Sequence, residues 1–312
     1  MADRTRIEWA QATWNPTPGC DRVSPGCDHC YALTLAKRLK AAGSPKYQAD
    51  GHPSTSGPGF GLSTHDSALA IPLSWAKPRR VFVNSMSDLF HHGVSGEFIA
   101  RVWAVMAATP KHTYQILTKR HARMCSLLTS ERFRERIFLA NNLDQGDILG
   151  DRWPLPNVWL GVSVENQKWA DIRIPSLLDT PAALRWVSAE PLLGPIDLGI
   201  GDPHRGHDSD DVNGSPSAPI CLNCSTDDGE NDVEYFRREP GGGGIDWAVC
   251  GGESGPGARP MHPDWARSLR DQCGQAGVPF LFKQWGGATP KAGGRELDGR
   301  TWDQYPSSVV GV

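Results

Sequence analysis

The run Gly19-Cys20-Asp21-Arg22-Val23-Ser24-Pro25-Gly26-Cys27-Asp28-His29-Cys30-Tyr31 constrains this chain more than any other stretch. Three of the eight cysteines fall within eleven residues, on a turn built from Pro16, Pro18, Gly19, Pro25 and Gly26. Proline and glycine fix the shape of such a loop, so three thiols can converge on one point. A helix-like run from Tyr31 to Ala42 follows directly. Three protein ligands leave one coordination position open, the arrangement for catalysis, whereas a structural site is closed. A second reading is a non-enzymatic zinc-binding or regulatory module in which His29 joins Cys20, Cys27 and Cys30 to close a tetrahedral site. The plainest reading is three unrelated cysteines, a residue type that is commonly buried. A catalytic thiol lacks a clearly paired base in this run.

The surroundings favour metal over disulfides. The chain has 312 residues, 39% hydrophobic and 21% charged, which suits one large α/β domain with a substantial core. No run of about 18 apolar residues and no charged-then-apolar leader is present, so a cytoplasmic protein is expected, neither membrane-spanning nor exported. Clustered thiols in a reducing compartment hold metal more readily than they pair. Net charge is −3, so any nucleic-acid surface must be a local patch. Twelve tryptophans outnumber five tyrosines; Trp9, Trp14, Trp75, Trp103, Trp159, Trp186, Trp247 and Trp285 mostly sit in or beside strand-like runs, as core packing requires.

Past the cysteines, one pattern repeats. Val81-Phe82-Val83 stops at Asn84-Ser85-Met86-Ser87-Asp88, and Thr113–Leu117 stops at Thr118-Lys119-Arg120. Val158–Val162 stops at Ser163-Val164-Glu165-Asn166, and Leu184–Val187 stops at Ser188-Ala189-Glu190-Pro191. Ile245–Val249 stops at Cys250-Gly251-Gly252-Glu253-Ser254, and Val278–Phe282 stops at Lys283-Gln284-Trp285. Six apolar runs thus end in polar clusters, usually with a helical segment following. Strands alternating with helices imply parallel strands buried on both faces. With a first strand around Ile7-Glu8-Trp9 and Thr13-Trp14-Asn15, the expected fold is α/β, an incomplete (β/α) TIM-like barrel of six to seven parallel strands. The polar clusters then share one rim, the carboxyl end where such barrels build their sites. A doubly wound open sheet is the alternative, with ligands at the same strand ends.

The expected organisation is a single domain over residues 1–286, interrupted by irregular segments 44–76 and 195–244, with an irregular tail over 287–312. The first interruption has the length of a lid. The second is a polar insertion before the sixth strand, and in it His204, His207, Cys221 and Cys224 have the spacing of a zinc knuckle.

The motifs resemble those of a known group. A three-cysteine loop after the first strand of an incomplete barrel is similar to the radical S-adenosylmethionine superfamily. More closely, the chain resembles a phage-encoded three-cysteine-motif family of unknown function. The matching residues are Thr13-Trp14-Asn15-Pro16, Gly19-Cys20, Gly26-Cys27-Asp28-His29-Cys30-Tyr31-Ala32 and Asn84 to Phe90, then Leu117-Thr118-Lys119-Arg120, Gly161 to Glu165, Glu190-Pro191-Leu192 and Gly251-Gly252-Glu253-Ser254. They cover residues 5–196 and 245–286. There is one departure: the superfamily's usual motif has three residues between its first two cysteines and an aromatic before its last. Here the first gap is six residues and His29 takes the aromatic position.

The resemblance implies a [4Fe-4S] cluster on Cys20, Cys27 and Cys30, S-adenosylmethionine at the open iron, an external electron donor and radical chemistry. It places Ser85 and Asp88 at the cofactor's amino end, and Ser163 and Glu165 at its ribose hydroxyls or carboxylate. Lys119 and Arg120 would take the cofactor carboxylate or an anionic substrate. Glu190, Glu253 and Lys283 would face the substrate as catalytic residues. The basic run Lys119-Arg120-His121-Ala122-Arg123 is either a solvated helix start or a phosphate-contacting patch, and the family's phage setting points to a nucleic acid or nucleotide as substrate.

Overall fold

The computed structural model describes residues 5, 7–140, 153–200, 244–289 and 291–307. Seven strands form one sheet in sequential order: β1 (Ala12–Trp14), β2 (Arg80–Val83), β3 (Thr113–Thr118), β4 (Val158–Ser163), β5 (Leu184–Ala189), β6 (Trp247–Gly251) and β7 (Phe280–Gln284). Every pairing is parallel. The sheet curls into a half-barrel, the incomplete TIM-like barrel that the strand–helix alternation predicts. Among the described residues six helices accompany it: α1 (Tyr31–Ala41), α2 (Gly96–Ala108), α3 (His121–Leu128), α4 (Glu131–Ala140), α5 (Gln167–Leu178) and α6 (Pro263–Gln275). Ser95 and Asn166 cap α2 and α5 by accepting from the backbone of Phe98 and Trp169. Among the described residues, no helix is long and apolar enough to cross a membrane.

Strand alternation divides the core in two. One set of side chains, including Val81, Val83, Tyr114, Ile116, Leu160 and Val162, packs with the helices. The other fills the lumen with rings: Trp9, Phe82, Trp159, Trp186 and Trp247 form a separate cluster. Register explains the fit, since Gly161 pairs with Trp186, which in turn pairs with Trp247. A Cβ on Gly161 would lie 2.5 Å from the Trp186 ring, so that position must lack a side chain. Trp9 meets Phe82 at 4.5 Å and Trp186 at 5.1 Å between ring centroids. Each buried indole removes some 150–250 Å² from water, on the order of 4–6 kcal/mol gross. A plugged lumen leaves the strands' carboxyl ends as the place for a site.

Three expectations need adjustment. The first strand is only Ala12–Trp14; Trp9 lies outside it and serves as a lumen plug. The 44–76 segment contains three short 3-10 turns and buries Tyr47, Phe60, Leu69 and Trp75, so it packs against the domain. The tail carries no helix among its described residues, yet it is anchored. Trp302 and Gln304 exchange backbone hydrogen bonds with β7, and Tyr305 seats its ring 5.6 Å from Trp247 while donating to the Glu8 carbonyl at 3.0 Å. This covers an edge strand and ties β7 to the segment preceding β1. The zinc-knuckle residues His204, His207, Cys221 and Cys224 lie outside the described residues.

Candidate metal centre at the barrel mouth

The cysteine loop leaves β1 and ends at α1. A tight turn, with Cys27 N–H bonding Ser24 O at 2.9 Å and Asp28 N–H bonding Pro25 O at 3.1 Å, folds its middle. Cys30 is the N-cap of α1, so its sulfur sits at the positive end of a helix, which favours thiolate. All three thiols are free and half-buried. Cys20 and Cys30 pack against the apolar group of Ala32, Ala36, Tyr47, Phe60 and Met86. Burial pushes the Cys20 thiol up to about 12, with Asp88, Cys27 and Cys30 adding to the rise and Arg120 opposing it. Burial likewise raises Cys30, opposed by the nearby amides of Ala32 and Leu33 and by the Lys119 charge. Lys119 and Arg120 thus act against the burial that holds these thiols protonated.

Residues on both sides of Cys27 tether the loop. Asp21 accepts from Thr55 Oγ1 at 2.7 Å and pairs with His91 Nε2 at 2.8 Å, while its carbonyl accepts from Arg120 at 3.2 Å. Ser24 donates to Glu165 at 2.6 Å. Gly26 passes so close to Glu165 that a Cβ there would lie 2.5 Å from its Oε1. Arg259 reaches Pro25 O at 2.8 Å and Asp28 at 3.3 Å, and His29 Nδ1 meets Glu253 Oε2 at 2.9 Å. The loop thus crosses the mouth from β1 to the segments after β3, β4 and β6.

Asp21, His91 and His92 bring their ligand atoms within 4.8 Å of one another, the set among the described residues suited to a single ion. The hydrogen bonding argues for a tether instead. Gly93 N–H donates to His91 Nδ1 at 3.1 Å, so the other ring nitrogen carries the proton and donates to Asp21. Both nitrogens of His91 are in use.

Most rim residues predicted from the sequence come together in two groups. Around the first, Lys119 Nζ donates to Ser163 Oγ and pairs with Glu165 Oε1 at 3.0 Å, and Arg173 of α5 pairs with Glu165 Oε2 at 3.0 Å. Glu165 is fully buried; burial opposes its ionisation, but the charges of Lys119 and Arg173 and the Ser24 hydroxyl keep its carboxyl below the usual range. Asp88 spends its carboxylate on Thr118 Oγ1 at 2.7 Å and on the amides of Phe90 and Lys119, both at 3.0 Å. In the second group Lys283 pairs with Glu190 at 2.9 Å, and Glu190 O accepts from Ser163 at 3.1 Å, which joins the two groups. Burial lowers Lys283, yet the Glu190 charge outweighs it and the net shift is upward. Glu253 stands apart, held by Arg259 and His29. Ser85 lies on the α1 side, where its hydroxyl donates to Asn15 at 3.2 Å and its carbonyl accepts from Tyr31.

Part of the basic run is engaged within the fold. Arg120 binds Asp21 O, and Arg123 binds the carbonyls of Phe90, His91 and Val94, so these guanidiniums stitch loops together. Sequence reasoning missed Ser24, Arg173 and Arg259. Arg173 reads as one polar residue in a helix, and Arg259 follows a Gly-Pro run without periodicity; their partners are long-range and leave no local signal.

Comparison with solved structures returns spore photoproduct lyase complexed with dinucleoside spore photoproduct, and a cysteine-to-alanine mutant of it with the same molecule. Each is 12% identical and is matched over 56% of this chain and 44% of that chain, with a TM-score of 0.32. This chain therefore spans less than half of the lyase's length. No curated protein matches the sequence. A family model described as a protein of unknown function (DUF5131) matches residues 4–306, nearly the whole length, and the chain belongs to that family.

Proposed function

We propose that the chain is an iron–sulfur enzyme in which Cys20, Cys27 and Cys30 hold a [4Fe-4S] cluster and S-adenosylmethionine takes the open iron. The observation that carries this reading is the placement of three free thiols on one tethered loop at the mouth of a parallel half-barrel. Apolar packing around Cys20 and Cys30, and Lys119 and Arg120 beside them, suit an anionic cluster shielded from water. A single zinc ion would need sulfurs roughly 3.8 Å apart, from Zn–S bonds of about 2.3 Å. Among the described residues the three cysteines form no set within 4.8 Å, with or without His29. A cluster holds each thiolate on a different iron and so spaces them more widely. His29, for its part, is turned to Glu253.

When bound, the cluster and S-adenosylmethionine would supply one-electron reductive chemistry, with an external electron donor. Ser85 takes the cofactor's amino end in this reading, while Asp88, whose oxygens are taken by Thr118 and the amides of Phe90 and Lys119, braces the end of β3; Lys119 and Arg120 take the cofactor's carboxylate or an anionic substrate. Ser163 takes the ribose hydroxyls. Glu190 and Lys283, paired on the rim, face the substrate and hold a proton between them. Glu165 and Glu253 support the cysteine loop rather than touch ligands, since their oxygens are taken by Ser24, Lys119, Arg173, Arg259 and His29. A nucleic acid or nucleotide is the proposed substrate. The test is release of 5′-deoxyadenosine from S-adenosylmethionine by anaerobically purified protein with a strong reductant. Release in wild type and none in Cys27→Ala supports the reading; equal release in both would sink it.

A further inference from the structure

Seven strands leave a seam between β7 and β1, and polar links cross it at its base and at its mouth. At the base the link is Tyr305 to Glu8. At the mouth it runs from the segment after β6 to the cysteine loop, through Arg259 and the pair of Glu253 with His29. Arg259 uses its whole guanidinium: Nε and Nη2 bind the two oxygens of Glu253 at 2.9 and 2.5 Å, Nη2 also binds Pro25 O at 2.8 Å, and Nη1 meets Asp28 at 3.3 Å. The backbone that carries it is itself pinned. Glu253 O accepts from Gly287 N–H at 2.8 Å, Gly255 N–H donates to Gly287 O at 2.9 Å, and Gln284 donates to Ser254 Oγ at 2.5 Å. Arg259 therefore projects from an arm fastened to the end of β7.

The contacts on the loop side fall at Pro25, Asp28 and His29, so they bracket Cys27. The other two thiols are placed by different means: Cys20 by the tethers on Asp21, and Cys30 by its position as the cap of α1. We propose that Arg259 is a positioning residue, a latch that holds the Cys27 segment across the seam and thereby sets the spacing of the three thiols. The inference rests on reading those thiols as one ligand set. It also accounts for the six-residue gap, which gives the loop enough length to reach this arm. Lysine cannot replace arginine here, because a point charge cannot serve three partners at once in a planar fork.

Hydrogen exchange on the metal-free protein reads the latch directly. Arg259→Ala should speed amide exchange over residues 21–30 by about tenfold or more, with β4 and β5 unchanged, since hydrogen bonds to charged groups are lost at that place alone. Arg259→Lys should resemble Arg259→Ala, and Arg267→Ala, which breaks an exposed pair with Asp298, should match wild type. Unchanged exchange over 21–30 in Arg259→Ala would overturn the latch. If Arg259→Ala does not fold, Arg259→Lys decides: acceleration confined to 21–30 supports it, and uniform acceleration through β4 and β5 overturns it. Iron is read separately. Anaerobically loaded Arg259→Lys should lose iron to a chelator about 10- to 100-fold faster than wild type at an unchanged melting temperature of the metal-free protein. Wild type that takes up no iron would remove the cluster reading but leave the latch to its exchange data. Iron-loaded wild type with equal iron loss and equal exchange in the variant would remove the latch alone.

Discussion

Ser24 Oγ donates a 2.6 Å hydrogen bond to Glu165 Oε1, joining the cysteine loop to a residue 141 positions further along the chain. The same carboxylate holds Lys119 and Arg173, each at 3.0 Å, and all of this is buried or nearly so. One acidic group thus fixes the loop, the end of β3 and the start of α5.

Removing Glu165 should consequently act on stability before it acts on ligand binding. Glu165→Ala strands the fully buried Arg173, and breaking a buried pair in this way costs about 3–5 kcal/mol. Urea denaturation should show a midpoint far below wild type. A wild-type midpoint with weakened S-adenosylmethionine binding would instead return Glu165 to the cofactor-gripping role that the family resemblance implies.

The lumen should punish an added methyl. Gly161→Ala places a Cβ 2.5 Å from the Trp186 ring, within a plug that also packs Trp9 and Trp247. Overpacking of this kind costs roughly 1–3 kcal/mol. Thermal melts would register it as a lowered Tm, whereas an unaltered Tm would mean that the indole cluster is loosely packed.

Acid should loosen the mouth through Glu253. Burial works against its ionisation, but the hydrogen bonds and charge of Arg259, with His29, hold its carboxyl down to about 2 from an ordinary 4.5. A depressed carboxyl contributes stability that is fully present above pH 4.5 and is lost as pH falls from there toward about 2. Wild type should therefore lose more stability over that window than Glu253→Gln, as measured by denaturant unfolding at stepped pH. Parallel pH profiles for the two proteins would rule this out.

Much of the fold was legible because six apolar runs each stop at a polar cluster, a signal that survives without any knowledge of partners. Lys119, Ser163, Glu165, Glu190 and Lys283 were found that way, and contacts link them on the rim. Their division of labour was not legible. Glu165 and Glu190 look alike as carboxylates after a strand, yet one is fully buried among Ser24, Lys119 and Arg173 while the other keeps partial exposure beside Lys283. That difference is set by residues far away in sequence: Ser24 lies 141 positions from Glu165. Nor does periodicity mark α4, a short helix after the Thr129-Ser130 break. The same holds for the tail, whose hold on β7 and the lumen runs through Trp302, Asp303, Gln304 and Tyr305.

Iron and acid-labile sulfide in protein purified without air test the central claim most directly. The account predicts a brown protein with about four of each per chain, and loss of both in Cys20→Ala, Cys27→Ala and Cys30→Ala. A colourless wild-type protein carrying a single zinc at this loop, or no metal there, would contradict it.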